Sequence, residues 1–218
     1  EAAIRQYNTG GICLFQGGPV KQSMMVNYLQ GIAKTPIIIS IDAETGLGMR
    51  VDSVKPLPRQ MMLGAVRDPQ VIFDYGKWVG KQCRRMGIHT NYAPVVDVNN
   101  NPANPVINDR SFGENKNIVA EYGIMYMKGM QSEGIMTCAK HFPGHGDVAV
   151  DSHLDLPLIN KTREQMDSLE LYPFRKLISA GVDAVMVGHL SIPAIDNTAN
   201  KPSSLSYNTI TKLLKEEL

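Results

Sequence analysis

Several things are scarce in this 218-residue chain, and each scarcity excludes a class of protein. There is no charge excess: 22 basic side chains face 21 acidic ones, for a formal net charge of +1. That balance leaves no electrostatic footprint for nucleic acid or for an anionic membrane surface. No apolar run approaches the roughly 18 residues that a membrane-spanning helix needs. Cysteine is rare and odd in number, and Cys13, Cys83 and Cys138 form no CxxC pair. Neither a disulfide framework nor a zinc-binding module follows from them. Each lies in or near an apolar segment, where a buried thiol is the expected state. A phosphate-cradling GxGxxG turn is missing, since Gln16-Gly17-Gly18 does not match it. No linker, low-complexity stretch or short repeat divides the chain, so one domain over 1–218 is expected. The chain also opens without Met or a leader sequence. Ala2–Arg5 already reads as helix and Leu213–Leu218 stops inside a helical pattern, so both ends read as cut and the compartment stays open.

What is present is an alternation of apolar runs with amphipathic segments. Strands are expected in 10–15, 36–42, 87–98 (ending at Pro94-Val95-Val96-Asp97-Val98), 134–140 and 182–189. Continuous rather than alternating apolar runs suit strands covered on both faces. Helices are expected over 21–33, 69–86, 117–132 and 162–180, the last capped by Thr162 with Glu164-Gln165 in its first turn. A repeated β-α order implies an α/β fold with a mainly parallel sheet. Asp42, Asp97, Lys140-His141 and His189 each end or follow a strand. Polar groups at the C-terminal ends of several strands favour a (β/α)8 TIM-type barrel over a doubly wound sheet. Five β/α units are countable, so the barrel reads as incomplete. A five-strand piece would leave two open edges and is expected to need more chain or a partner to be a well-behaved monomer.

The densest chemistry is Lys140-His141-Phe142-Pro143-Gly144-His145-Gly146-Asp147, followed by Asp151-Ser152-His153. Pro143, Gly144 and Gly146 forbid a regular helix, so His141 and His145 are not a helical zinc pair. A metal cluster, a structural polar loop and a catalytic loop all remain open on spacing alone. Asp151 and His153 are two apart, and a carboxylate beside an imidazole fixes its orientation and favours its protonated form. That suits a general acid that later serves as a base.

These residues resemble the signature of bacterial β-N-acetylglucosaminidases in glycoside hydrolase family 3. Ile41-Asp42-Ala43-Glu44 with Arg50 resembles the family's sugar-binding loop. Tyr92–Val98, Asp109-Arg110-Ser111-Phe112-Gly113 and Ala184–His189 resemble further blocks, so the likeness runs from about Gly10 to Leu218. The resemblance implies a retaining glycosidase that releases terminal β-linked N-acetylglucosamine from glycans or peptidoglycan fragments. His153 would be the acid/base, oriented by Asp151. Asp42, Arg50, Arg110, Lys140 and His141 would hold the sugar, while Asp97 and His189 read as structural supports. No metal and no organic cofactor is implied, and the partner is a carbohydrate. Against these stand plainer alternatives: Lys140 facing water, Asp42 as a helix cap, Arg110 paired with Asp109 or Glu114 at the surface. The family's nucleophile is an Asp in a strand following a helix like Tyr207–Leu218, so it is expected beyond Leu218 and the piece is expected to be inactive alone. Alternatives within reach are a β-glucosidase, a phosphorylase of N-acetylglucosaminides and a non-catalytic sugar-binding domain. Glu44-Thr45-Gly46 stands where the family has Glu-Gly-Gly. This variant resembles large envelope-associated bacterial members and implies a periplasmic or envelope location, with the cytoplasm as the alternative.

Overall fold

The computed structural model describes residues 1–151 and 155–218. The N-terminal helix α1 (Ala2–Tyr7) leads into strand β1 (Gly11–Leu14), helix α2 (Pro19–Ile32) and strand β2 (Ile38–Ile41). Two helices, α3 (Gln60–Gly64) and α4 (Pro69–Arg85), precede the short strand β3 (Thr90–Asn91). Helix α5 (Lys116–Gln131), strand β4 (Met136–Phe142), helices α6 (Arg163–Ser168) and α7 (Leu171–Ser179) and strand β5 (Ala184–Val187) follow. A π-helical segment, Asn208–Glu217, closes the described chain.

The five strands form one parallel sheet in the order β1-β2-β3-β4-β5. That order separates the two architectures. A doubly wound sheet reverses direction at a switch point, whereas a barrel adds each strand beside the last. The strand order is that of a barrel wall, and among the described residues β1 and β5 do not pair, so the sheet is open.

Local chemistry explains the elements. Asp68 caps α4 by accepting from the Gln70 amide at 2.9 Å, with Pro69 in the first turn, where its missing N–H costs nothing. Asn115 caps α5 in the same way through Asn117. The inward stripe of α4 is Ile72, Gly76, Val79, Gly80 and Cys83. Glycines on both helices let α4 and α5 approach closely: a Cβ on Gly129 of α5 would stand 2.1 Å from the Phe73 carbonyl oxygen, and one on Gly76 of α4 would stand 2.3 Å from that of Tyr126. Burial pushes the Cys83 thiol up to about 12 and the Cys138 thiol up to about 11, so both behave as apolar core groups.

Two expectations are corrected. The helix expected over 162–180 starts with the anticipated capping box between Thr162 and Gln165, but breaks at Leu169–Glu170. Pro173 accounts for the break: its ring is tolerated only in a first helical turn, so the helix must restart just before it. The strand expected to end at 94–98 pairs only at Thr90–Asn91. Pro94 has no N–H for the ladder, and a single bridge from Val95 to Lys140 follows it. The 95–98 block is nonetheless buried, and it delivers Asp97 to the end of the sheet.

Candidate active site

Sequence order and strand direction bring five polar side chains together above the C-terminal ends of β2, β3 and β4. Asp42 follows β2 directly. Its Oδ1 accepts from Lys140 Nζ at 2.6 Å and its Oδ2 from Arg50 Nη2 at 2.7 Å, while Arg50 Nε donates to the Asp42 carbonyl at 3.1 Å. Lys140 comes from β4, and its side chain is only 2% exposed. Its ammonium also lies 2.6 Å from Glu44 Oε1. Arg110 grips Glu44 with two parallel bonds, Nη2 to Oε1 at 2.7 Å and Nε to Oε2 at 3.0 Å. Such a fork fixes orientation as well as supplying energy.

The chain continues through histidine. Arg110 Nη2 lies 3.3 Å from His141 Nε2, and His141 Nδ1 lies 2.7 Å from Asp97 Oδ2. Arg110 can only donate, so the contact assigns the acceptor role to Nε2 and the proton to Nδ1, facing Asp97. Asp97 is fully buried and also accepts from the backbone amides of His141 and His145. Burial alone would raise its pKa, but His141 and these amides outweigh it and hold the carboxyl below its usual value. Glu44 shows the same contest. Desolvation pushes it up, Lys140 and Arg110 pull harder, and the net value falls from 4.5 to about 2. Burial and neighbouring His141 depress His145, with Asp97 opposing them.

Adjacent residues of a regular strand face opposite sides of a sheet. Lys140 and His141 nevertheless both line the same cavity. The strand is not regular here: the Lys140–His141 peptide bond is cis, and the ladder between β4 and β5 shifts register between Lys140 and Phe142. The cavity encloses about 570 Å³ and is also walled by Phe15, Met49 and Met186. His189 lies on its wall, with Nδ1 2.6 Å from Ser204 Oγ.

Of the sugar-holding residues expected from sequence, Asp42, Arg50, Arg110, Lys140 and His141 all line this cavity. The plainer alternatives do not hold. Lys140 is buried rather than facing water. Asp42 caps no helix, since Gly46 precedes the short turn Leu47–Met49. Arg110 pairs with Glu44, while Asp109 is taken by Arg59 at 2.6 Å. Glu44 is the residue whose individual role was missed. A signal existed: Asp42 and Glu44 are two apart in extended chain, a spacing that puts both carboxylates on one side. Asp151 lies in the loop after β4, where its carbonyl accepts from the Asp155 amide at 3.1 Å. His153 lies outside the described residues. Among the described residues, no group of three or more His, Cys, Asp or Glu could hold a metal ion.

Comparison with known proteins places this arrangement. Residues 1–218 match the model of the glycosyl hydrolase family 3 N-terminal domain, and the chain belongs to that family. A protein named Beta-hexosaminidase A from Pseudoalteromonas piscicida is 34% identical over 238 residues, spanning 99% of this chain and 40% of its own length. A Beta-hexosaminidase from Xylella fastidiosa (strain M23) is 33% identical, over 94% of this chain and 63% of its own. Among solved structures, a family 3 β-N-acetylglucosaminidase from Paenibacillus sp. str. FPU-7 superposes with a TM-score of 0.92 at 40% identity, covering 98% of this chain and 42% of that one. The chain therefore spans between 40% and 63% of the length of these relatives.

Proposed function

We propose that this chain carries the sugar-binding half of a retaining glycosidase that releases terminal β-linked N-acetylglucosamine from glycans or peptidoglycan fragments. The observation that carries the reading is the continuous chain Arg50–Asp42–Lys140–Glu44–Arg110–His141–Asp97, of which Arg50, Asp42, Lys140, Arg110 and His141 line one cavity at the strand ends. The names of the relatives, hexosaminidase and β-N-acetylglucosaminidase, support it.

In this reading the carboxylate of Asp42 accepts hydrogen bonds from the sugar's hydroxyls, and Lys140, Arg50 and Arg110 donate to its oxygens. Each cation is already oriented by a carboxylate, so little side-chain entropy is lost on binding. Asp97 holds the His141 tautomer and Glu44 holds both Lys140 and Arg110. Asp151 and His153 serve the leaving group. His153 protonates the departing oxygen and then takes a proton from the incoming water. A carboxylate nucleophile on the opposite face forms and releases the glycosyl intermediate. Phosphate as the second acceptor is a variant of the same chemistry, because a neutral imidazole does not repel an approaching anion as a carboxylate does. No helix of the described residues is long and apolar enough to cross a membrane. The envelope location rests on the Glu44-Thr45-Gly46 variant, and cell fractionation tests it.

The test is release of nitrophenol from the β-N-acetylglucosaminide and the β-glucoside by the complete enzyme, with and without inorganic phosphate. Preference for the first substrate is the expected result. Preference for the glucoside, or turnover of neither, would overturn the reading. Formation of a sugar phosphate would identify the acceptor as phosphate.

A further inference from the structure

A second polar cluster lies away from the sugar site, beneath the loop after β4. Lys161 Nζ lies 3.1 Å from Asp147 Oδ2 and bonds Glu170 Oε1 as well. Asp147 stands at the entry of the loop 148–160, which carries Asp151 and His153, and Lys161 stands at its exit. One ammonium therefore joins the two stems of that loop. Glu170 is 2% exposed and sits at the break between α6 and α7. It packs against the Pro143-Gly144 turn so closely that a Cβ on Gly144 would meet its own Cβ at 2.6 Å. Its Oε2 has no partner among the described residues, so Lys161 is the cation that offsets its burial.

The stems are held at further points. Asn101 Nδ2 donates to the Asp147 carbonyl at 3.0 Å, and Asn104 Nδ2 to that of His145 at 2.7 Å. Val148 and Ile159, at either end of the loop, are both buried. The Ile159 amide donates to Ser191 O at 2.9 Å, and the Ser191 amide to Pro157 O at 2.8 Å. Among the described residues, the Asp147–Lys161 ion pair runs directly from one stem to the other.

We infer that Lys161, with Asp147 and Glu170, is a positioning residue for the acid/base pair: it joins the two stems of the loop whose sequence carries Asp151 and His153. The inference rests on the acid/base reading given above. A group that acts through the general acid matters most where the leaving group needs protonation. Displacing a catalytic group by about an ångström can cost on the order of 10²-fold, and general acid–base catalysis as a whole contributes about 10²- to 10⁴-fold.

The experiment compares kcat/KM in the complete enzyme for methyl and 2,4-dinitrophenyl β-N-acetylglucosaminides. Asp147→Asn cuts the link to the loop entry and leaves Lys161 with Glu170. The double variant Lys161→Met/Glu170→Gln removes the clasp without stranding a buried charge, and Lys161→Arg restores a cation. Both disrupting variants are expected to lose about tenfold more on the methyl glycoside than on the dinitrophenyl one, a fraction of the full acid/base effect. Lys161→Arg is expected to recover most of it, and neither disrupting variant should cost anything further in a His153→Ala background. Equal losses on both substrates, or losses that multiply with His153→Ala, would overturn the inference. His153→Ala measured alone separates the two readings: if it costs both substrates equally, the acid/base assignment itself falls, and the positioning role with it.

Discussion

Glu44 is a buried carboxylate that two cations share, and its exchange for the neutral isostere tests that arrangement. Its pKa lies below that of a free glutamate, so the unfolded chain binds its proton first as pH falls. The stabilisation is fully present above about pH 4.5 and is lost as pH drops toward about 2. The interval corresponds to roughly 3 kcal/mol as an upper bound. Glu44→Gln should be less stable than the parent at pH 7, and the difference should shrink steadily toward pH 2 in urea melts. A difference independent of pH would contradict the shared-carboxylate picture. Asp97, Asp183 and Asp196 are also held below their usual range and add to the acid sensitivity of the parent and the variant alike. At this scale the sequence was informative. Asp42, Arg50, Arg110, Lys140 and His141 could be named from their motifs, and all five line the cavity. Which carboxylate pairs with which cation was not legible, because Glu44 and Arg110 are 66 residues apart and only the fold makes them neighbours.

At the scale of elements, the α4–α5 contact is demanding, because two helix backbones pass with no room for side chains. Gly129→Ala would place its methyl group 2.1 Å from the Phe73 carbonyl and 2.6 Å from the Lys77 amide, neither of which can move alone. The expected cost is about 1–3 kcal/mol or more, read as a lower thermal midpoint with sugar binding retained in the survivors. An unchanged midpoint would mean the helices stand further apart. The cap of α6 at Thr162 was readable from sequence because capping is local chemistry, and the caps of α4 and α5 rest on the same chemistry. The break before α7 was also written there, in Pro173, but the amphipathic periodicity on both sides masked it. The short pairing of β3 and the shifted register of β4 carried no local signal, since both depend on what lies across the sheet.

The whole molecule is a run of parallel strands whose inner members are covered and whose outer members are not. β2, β3 and β4 are largely buried, whereas only Leu14 of β1 and no residue of β5 is buried. The strand count and the barrel-like order were legible because a parallel sheet with covered strands writes itself as apolar runs. The site belongs to this scale too, since its residues converge only when successive strands end at the same face. The most direct test of that convergence is Asp42→Asn in the complete enzyme, assayed with nitrophenyl β-N-acetylglucosaminide. Asparagine keeps the shape but removes the charge that Lys140 and Arg50 share with the sugar's hydroxyls. The account predicts a loss of about 10- to 100-fold in kcat/KM, the worth of one or two charge-assisted hydrogen bonds, with the thermal midpoint close to the parent's. Activity within about threefold of the parent, less than one such bond is worth, would contradict the claim that this cavity holds the sugar.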